Sequence, residues 1–235
     1  MDNAARARQR VLAVFLPITA VLYMCTEALD PKGTDEPITT TAIGFKLLAI
    51  AAKHPGQLYV AGSLSLLALG GLAVSYTAIA TLVRGRGWVV ATVAALFGGL
   101  TMFSGALANV LVGVNLAAAA TAHITRGAAA QFLMTTFNSE AGRAFLYFYI
   151  LGEYFAPLIM GFALWRSRSV PRWLAVLFFI GLELAEEQIS AGIVVVLFML
   201  PFAVAMVLLA VRIWQAAAEP TSHSQGPAVA PVSSI

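Results

Sequence analysis

Residues 88–112 read WVVATVAALFGGLTMFSGALANVLV, from Trp88 to Val112, without a charged side chain. A helix needs roughly 20 predominantly apolar residues to cross the hydrocarbon core of a bilayer, and this run exceeds that. A helix apolar on every face belongs in a large protein core or in a membrane. The run does not alternate apolar and polar residues in segments of about ten, as a membrane β-strand does. It reads as a membrane-spanning helix, and the fold class is all-α.

Five further runs of the same kind flank it: Val11–Leu29, Gln57–Val83, Arg143–Trp165, Trp173–Ile189 and Gly192–Trp214. The sequence thus predicts a polytopic bundle of six transmembrane helices. Composition agrees, with 60% of the 235 residues hydrophobic and 11% charged. Soluble domains carry about 25% charged residues. One membrane domain covers residues 11–214, after a basic N-terminus at 1–10. A tail rich in Ala, Pro and Ser follows at 215–235 and is expected to be disordered.

The net charge of +3 does not mark a nucleic-acid surface, because the cations are not gathered on one soluble face. They flank the apolar runs instead. Arg6, Arg8, Arg10, Arg84, Arg86, Arg166, Arg168, Arg172 and Arg212 fall at helix ends on one side. Lys32, Lys46, Lys53, Arg126 and Arg143 are spread along the other. Basic residues favour the cytoplasmic side, so both termini are expected in the cytoplasm of a cell with a plasma or inner membrane. Trp88, Trp165, Trp173 and Trp214 stand at those same ends, where indoles favour the interface. The apolar run after Arg10 is long enough to span, and no Ala-x-Ala follows it, so it is expected to be retained. Bulky Tyr23 and Met24 stand where a lipoprotein box needs small residues, so Cys25 belongs to the first span.

Two connections on the far side are long. Asp30-Pro31-Lys32-Gly33 reads as a turn. Thr39–His54 then reads as an amphipathic helix with Ile43, Leu47 and Ile50 at helical spacing. Leu116–Glu140 is Ala-rich and carries Phe132, Leu133 and Phe137 in the same rhythm. Both are expected to lie along the outer membrane surface, either as caps on the bundle or, on the plainer reading, as connectors.

Against this background the carboxylates in the apolar runs stand out. Glu153 is roughly 12 Å from Phe145 and 18 Å from Trp165 along its helix, close to the midplane. An acidic residue there costs about 2.5–3.5 kcal/mol to insert, so it should face protein or water. Pro157 cannot return an N–H to the carbonyl of Glu153. Glu183, Glu186 and Glu187 share one face at i, i+3 and i+4. Glu183 lies about 15 Å beyond Trp173, within the membrane, while Glu187 approaches the surface at about 21 Å.

Glu153 and Glu183 are the candidate catalytic residues. Glu153, Tyr149, Tyr154, Asn109, Glu186 and Glu187 are the candidate ligand-binding set, with Tyr147 a further hydroxyl nearby. Some have a plainer reading, with Glu153 bonded to a neighbouring helix and Glu186 and Glu187 hydrated; Glu183 is harder to read that way. Gly70, Gly71, Ser104, Gly105, Ala108 and Asn109 are read first as close helix contacts. Histidines occur only at His54, His123 and His223, outside the spans, so paired haem ligands are not expected. No zinc pattern, phosphate loop or nucleophile elbow is present, and no cofactor or metal is called for.

The stretch Ser167-Arg168-Ser169-Val170-Pro171-Arg172-Trp173-Leu174 resembles the junction of helices four and five in a family of bacterial six-helix membrane proteins, classed as a domain of unknown function. The order of elements is similar over residues 10–214, and Val112–Leu116 is loosely so. The resemblance implies a fold and no activity. Low lysine with abundant Ala, Val and Arg fits a high-GC bacterium. Three functions are compatible with these residues. One is binding of a lipophilic small molecule or partner helix at the carboxylates. A second is acid–base catalysis on an isoprenoid-type substrate by Glu153 and Glu183. The third is proton-coupled transport.

Overall fold

In a computed structural model, residues 3–29, 40–121, 125–186 and 193–218 are described, and among them the chain is helical with no strand. The elements are α1 (Asn3–Leu29), α2 (Thr41–Lys53), α3 (Pro55–Ala80), α4 (Trp88–Thr121), α5 (Arg126–Asn138), α6 (Glu140–Ser167), α7 (Arg172–Glu186) and α8 (Ile193–Ala218). Five of them, α1, α3, α4, α6 and α8, are long and apolar enough to cross a membrane. The α7 helix is described over 15 residues, about 22 Å, and is not among the five. The turn expected at Asp30–Gly33 lies outside the described residues.

Polar residues begin the helices where the chain must turn. Thr40, Thr125 and Ser139 cap α2, α5 and α6, each accepting a hydrogen bond from a backbone N–H three residues on. Pro55 opens α3, where its missing N–H would have had no helical partner. The α3–α4 turn runs through Gly85 and Gly87, both at positive φ, a conformation that glycine adopts without strain.

Packing orders these elements into a ring. Helix α1 touches α3, α3 touches α4, α4 touches α6, α6 touches α7, α7 touches α8, and α8 returns to α1. The interior is filled. Tyr76 of α3, 1% exposed, meets Phe178 of α7 edge to face with ring centroids 6.3 Å apart. Those helices are not neighbours, so the contact crosses the middle of the ring. Met102, Met160, Phe202 and Met206 are buried in the same core. The outward faces carry Val11, Phe15, Leu96, Leu100, Phe103, Phe155, Leu197 and Val204, all substantially exposed. So broad an apolar surface belongs in lipid.

The helices α2 and α5 are more than connectors. They pack on each other and on α4. A Cβ placed on Gly44 would stand 3.3 Å from Ala130. Leu47, Leu48, Ala51, Ala129, Ala130 and Leu133 form a second core with Leu58 of α3 and with Leu116 and Ala117 of α4. This requires α4 to outrun its predicted end at Val112. Its 34 residues give a rod of about 51 Å, well over the roughly 30 Å of hydrocarbon. Ala-rich sequence after Asn115 sustains the helix, because alanine loses no side-chain entropy there.

The arginines gather at the opposite end. Arg10 lies over the ring of Trp214, 5.3 Å from its centroid, joining the start of α1 to the end of α8. Arg172 lies 5.2 Å over Trp165 across the α6–α7 turn. Gly87 of the α3–α4 turn faces Ala163 and Ser167 of α6. These contacts bring all four arginine-bearing segments to one end of the bundle.

Candidate functional site

Glu153 is positioned by the seam between α4 and α6, and that seam is built from small residues. Gly98, Thr101 and Gly105 of α4 face Ala156, Gly152 and Tyr149 of α6. A Cβ on Gly152 would collide with the Thr101 side chain, and one on Gly105 with the Tyr149 ring. A Cβ on Gly98 would stand 3.1 Å from Ala156 and 3.0 Å from the Tyr76 ring. Small residues let helix backbones approach closely where no water drives them together. Ser104 adds a hydrogen bond from its hydroxyl to the carbonyl of Phe145, 3.3 Å long.

Tyr149, laid flat on Gly105, donates its phenolic hydrogen to Oε1 of Glu153 at 3.0 Å. The two residues are four apart, so they share one helix face. Glu153 itself is half-buried. Pro157, buried one turn further, supplies no N–H to the carbonyl of Glu153. A carboxylate accepts at about four lone-pair positions. One Tyr149 hydroxyl leaves it able to take further donors.

The other flank of Glu153 belongs to the α6–α7 seam, which behaves differently. It includes Gly161, whose Cβ position is 3.3 Å from Phe179. Tracing the α7-facing stripe of α6 away from the arginine end, Gly161 and Pro157 are buried, while Tyr154 is 45% exposed. From Glu140 to Leu151 no residue of α6 is buried. The two helices are closed at Gly161 and uncovered from Tyr154 onward among the described residues.

Glu183 lies on α7 beyond the same contact, half-buried, with Oε1 shielded from solvent. Glu153 is about 12 Å past the Gly161–Phe179 contact and Glu183 about 6 Å past it, in the same direction. Their heights differ by about 6 Å on adjacent helices.

The remaining candidates separate. Asn109 donates from Nδ2 to the Ser65 hydroxyl at 3.1 Å, bridging α4 to α3. It lies about 6 Å beyond the Gly105–Tyr149 contact while Glu153 lies about 6 Å short of it, so some 12 Å of helix axis divides them. Tyr147 is 62% exposed, and Tyr154 stands at the mouth of the uncovered flank. Glu186 closes α7, and Glu187, with the side chain of Glu186, lies outside what is described. Among the described residues no three His, Cys, Asp or Glu side chains come close enough to hold a metal ion.

Buried polar contacts that the sequence reading passed over lie deeper. Thr19 of α1 packs onto Gly71 and stands 3.5 Å from the Ser75 hydroxyl of α3, which donates to the Gly71 carbonyl at 2.8 Å. Thr101 is 0% exposed and bonds back to Phe97. Single Ser and Thr residues in apolar runs carry little signal in sequence, because each can satisfy itself on its own helix. The glycines opposite them are the better pointer.

No family model, curated protein or solved structure matches this chain.

Proposed function

We propose that this is a six-span bacterial membrane protein, with both termini cytoplasmic, that binds a lipophilic molecule through a hydrogen-bond-donating head group at Glu153. The observation that carries the reading is the pairing of a half-buried carboxylate with a flank uncovered toward lipid. Tyr149 orients Oε1, and the α6–α7 seam loses its cover at Tyr154. A molecule diffusing in the bilayer reaches such a site sideways. Its head must donate, as a hydroxyl or amine does, because a carboxylate and an adjoining carbonyl offer acceptors.

A proton-coupled transporter needs a path through the bundle. The buried Tyr76–Phe178 pair fills that path, which favours lateral binding over transport. Acid–base catalysis is the second reading, and the height difference of about 6 Å between Glu153 and Glu183 favours it, since a bound molecule could lie between the two. Counting α7 as the sixth span rests on its place between α6 and α8 in the ring. The arginine-rich end supports the orientation, and the family likeness of Ser167–Leu174 belongs to this same reading.

Native mass spectrometry of the purified protein tests the site. Wild type is expected to retain an enriched non-bulk lipophile, and Glu153→Gln to lose most of it while assembling normally. Equal retention by both sinks the reading. Chemical conversion of that lipophile by wild type, lost in Glu183→Gln, moves the case to catalysis. A C-terminal fluorescent-protein fusion that stays dark, paired with an active periplasmic reporter, overturns the orientation.

A further inference from the structure

The arginine end holds a feature that the Glu153 site does not use. Arg6, Arg8, Arg10, Arg84, Arg86, Arg166, Arg168, Arg172 and Arg212 stand there with no acidic side chain among the described residues at that end. The nearest acids in sequence are Asp2 and Glu219, outside the described residues.

Within this collar, α1 turns two polar residues inward. Ala13 and Leu16 are buried on its core-facing stripe. Arg6 lies seven residues before Ala13 and Gln9 four, so both continue that stripe. Each is half-buried, whereas Arg8 and Arg10 are exposed. The Nε of Arg6 and the Oε1 of Gln9 are shielded from solvent and find no hydrogen-bond partner among the described residues. Shielded polar atoms without partners are rare in native structures and call for an explanation. Across from them α8 ends on buried Ile213 and Ala217, and Arg10 is drawn onto Trp214.

We infer that the place where the start of α1 meets the end of α8 binds the phosphate of an anionic phospholipid in the adjoining leaflet. Arg6 donates to the phosphate from the half-buried side, and the exposed Arg10 and Arg212 neutralise it from outside. Gln9 accepts a hydroxyl of the head group. A lipid rather than a soluble anion fits because the collar stands at head-group height. Trp88, Trp165, Trp173 and Trp214 are 59%, 43%, 57% and 47% exposed there, and exposed indoles settle at that level. Exposed Val11 and Val211 adjoin the collar on α1 and α8 and offer an apolar path for acyl chains. Guanidinium groups also suit phosphate better than a point-charge ammonium does, through paired donors.

The test uses the full chain in nanodiscs of phosphatidylcholine doped with phosphatidylglycerol, followed by native mass spectrometry of retained lipid. Wild type is expected to keep phosphatidylglycerol preferentially. Each arginine removed is expected to lower that preference roughly fivefold, the factor for one basic residue at an anionic surface. The variants are Arg6→Gln and the exposed pair Arg10→Gln with Arg212→Gln. Lys46→Gln with Lys53→Gln, at the other end, should change nothing. Should Arg6→Gln fail to assemble by size exclusion, the exposed pair decides. Equal retention of the two lipids overturns the inference, as does unchanged preference in the variants. Displacement by millimolar inorganic phosphate also overturns it, since that marks a free-anion site. Loss of preference here with Glu153-dependent binding intact separates this site from the one proposed above.

Discussion

The two seams of α6 are unlike each other. Toward α4 it locks through Gly152, Ala156 and Tyr149 against Thr101, Gly98 and Gly105. Toward α7 it meets Phe179 and Ala175 at Gly161 and is uncovered by Tyr154. One helix is thus locked to its neighbour on one side and turns to exposed residues on the other. Where glycine meets a side chain at successive turns, the helices hold each other along their length. Toward α7, Gly161 meets Phe179 and Ala175, and two turns on the stripe is exposed at Tyr154. Glu153, half-buried, lies between these two flanks and is tied by Tyr149 to the locked side.

The largest effect should come from a glycine whose neighbour is backbone, which cannot rotate away. A Cβ on Gly181 would stand 2.6 Å from the Phe202 nitrogen. Gly181→Leu is expected to cost about 3 kcal/mol or more through overpacking. Thermal unfolding in detergent would read this as a marked fall in Tm; an unchanged Tm breaks the view that α7 is clamped to α8. The α4–α6 lock is next. Gly152→Val should cost about 2 kcal/mol, whereas Leu151→Ala, at an exposed position one turn from Tyr154, should stay within about 0.5 kcal/mol. Equal losses for the pair would erase the contrast between the seams.

A smaller effect is expected on the α3–α4 side. Asn109→Ala removes the bond to Ser65 and should cost about 0.6 kcal/mol, the usual value for an interhelical hydrogen bond in a membrane. A double-mutant cycle with Ser65→Ala isolates the term, and zero coupling energy would show the bond contributes nothing. The smallest change sharpens the comparison through two adjacent glycines. A Cβ on Gly71 meets Thr19, while one on Gly70 meets nothing within 4 Å. Gly70→Ala should raise stability by up to about 1 kcal/mol from helix propensity alone, and Gly71→Ala should lower it. A matching response at both positions would mean that Thr19 moves aside freely.

The apolar runs located α3, α6 and α8 to within a few residues, but α1 starts eight residues before its run and α4 ends nine after its own. Caps such as Ser139 lie where polar residues interrupt the runs. Small-residue pairs flagged as packing sites proved unequal, since Gly71 is used and Gly70 is not. Tyr147, Tyr149 and Tyr154 looked alike in sequence; in the structure Tyr149 donates to Glu153 while Tyr147 and Tyr154 are exposed. Its distinction comes from Gly105 on another helix, and no residue count within α6 could have supplied it. Asn109, read first as a helix contact and second as a companion of Glu153, bonds to Ser65 on α3.

By itself the sequence determined that the chain belongs in a membrane, where its apolar helices run, and which end of each carries arginine. These are local properties, because the length of an uncharged run sets transfer into lipid without reference to any neighbour. Tertiary structure alone decided the order of helices in the ring, the joining of α2 and α5 into a second core, and the different fates of the two seams of α6. Those outcomes depend on shape matched between residues far apart in the chain. In lipid, where apolar surface no longer discriminates one partner from another, close packing makes that choice.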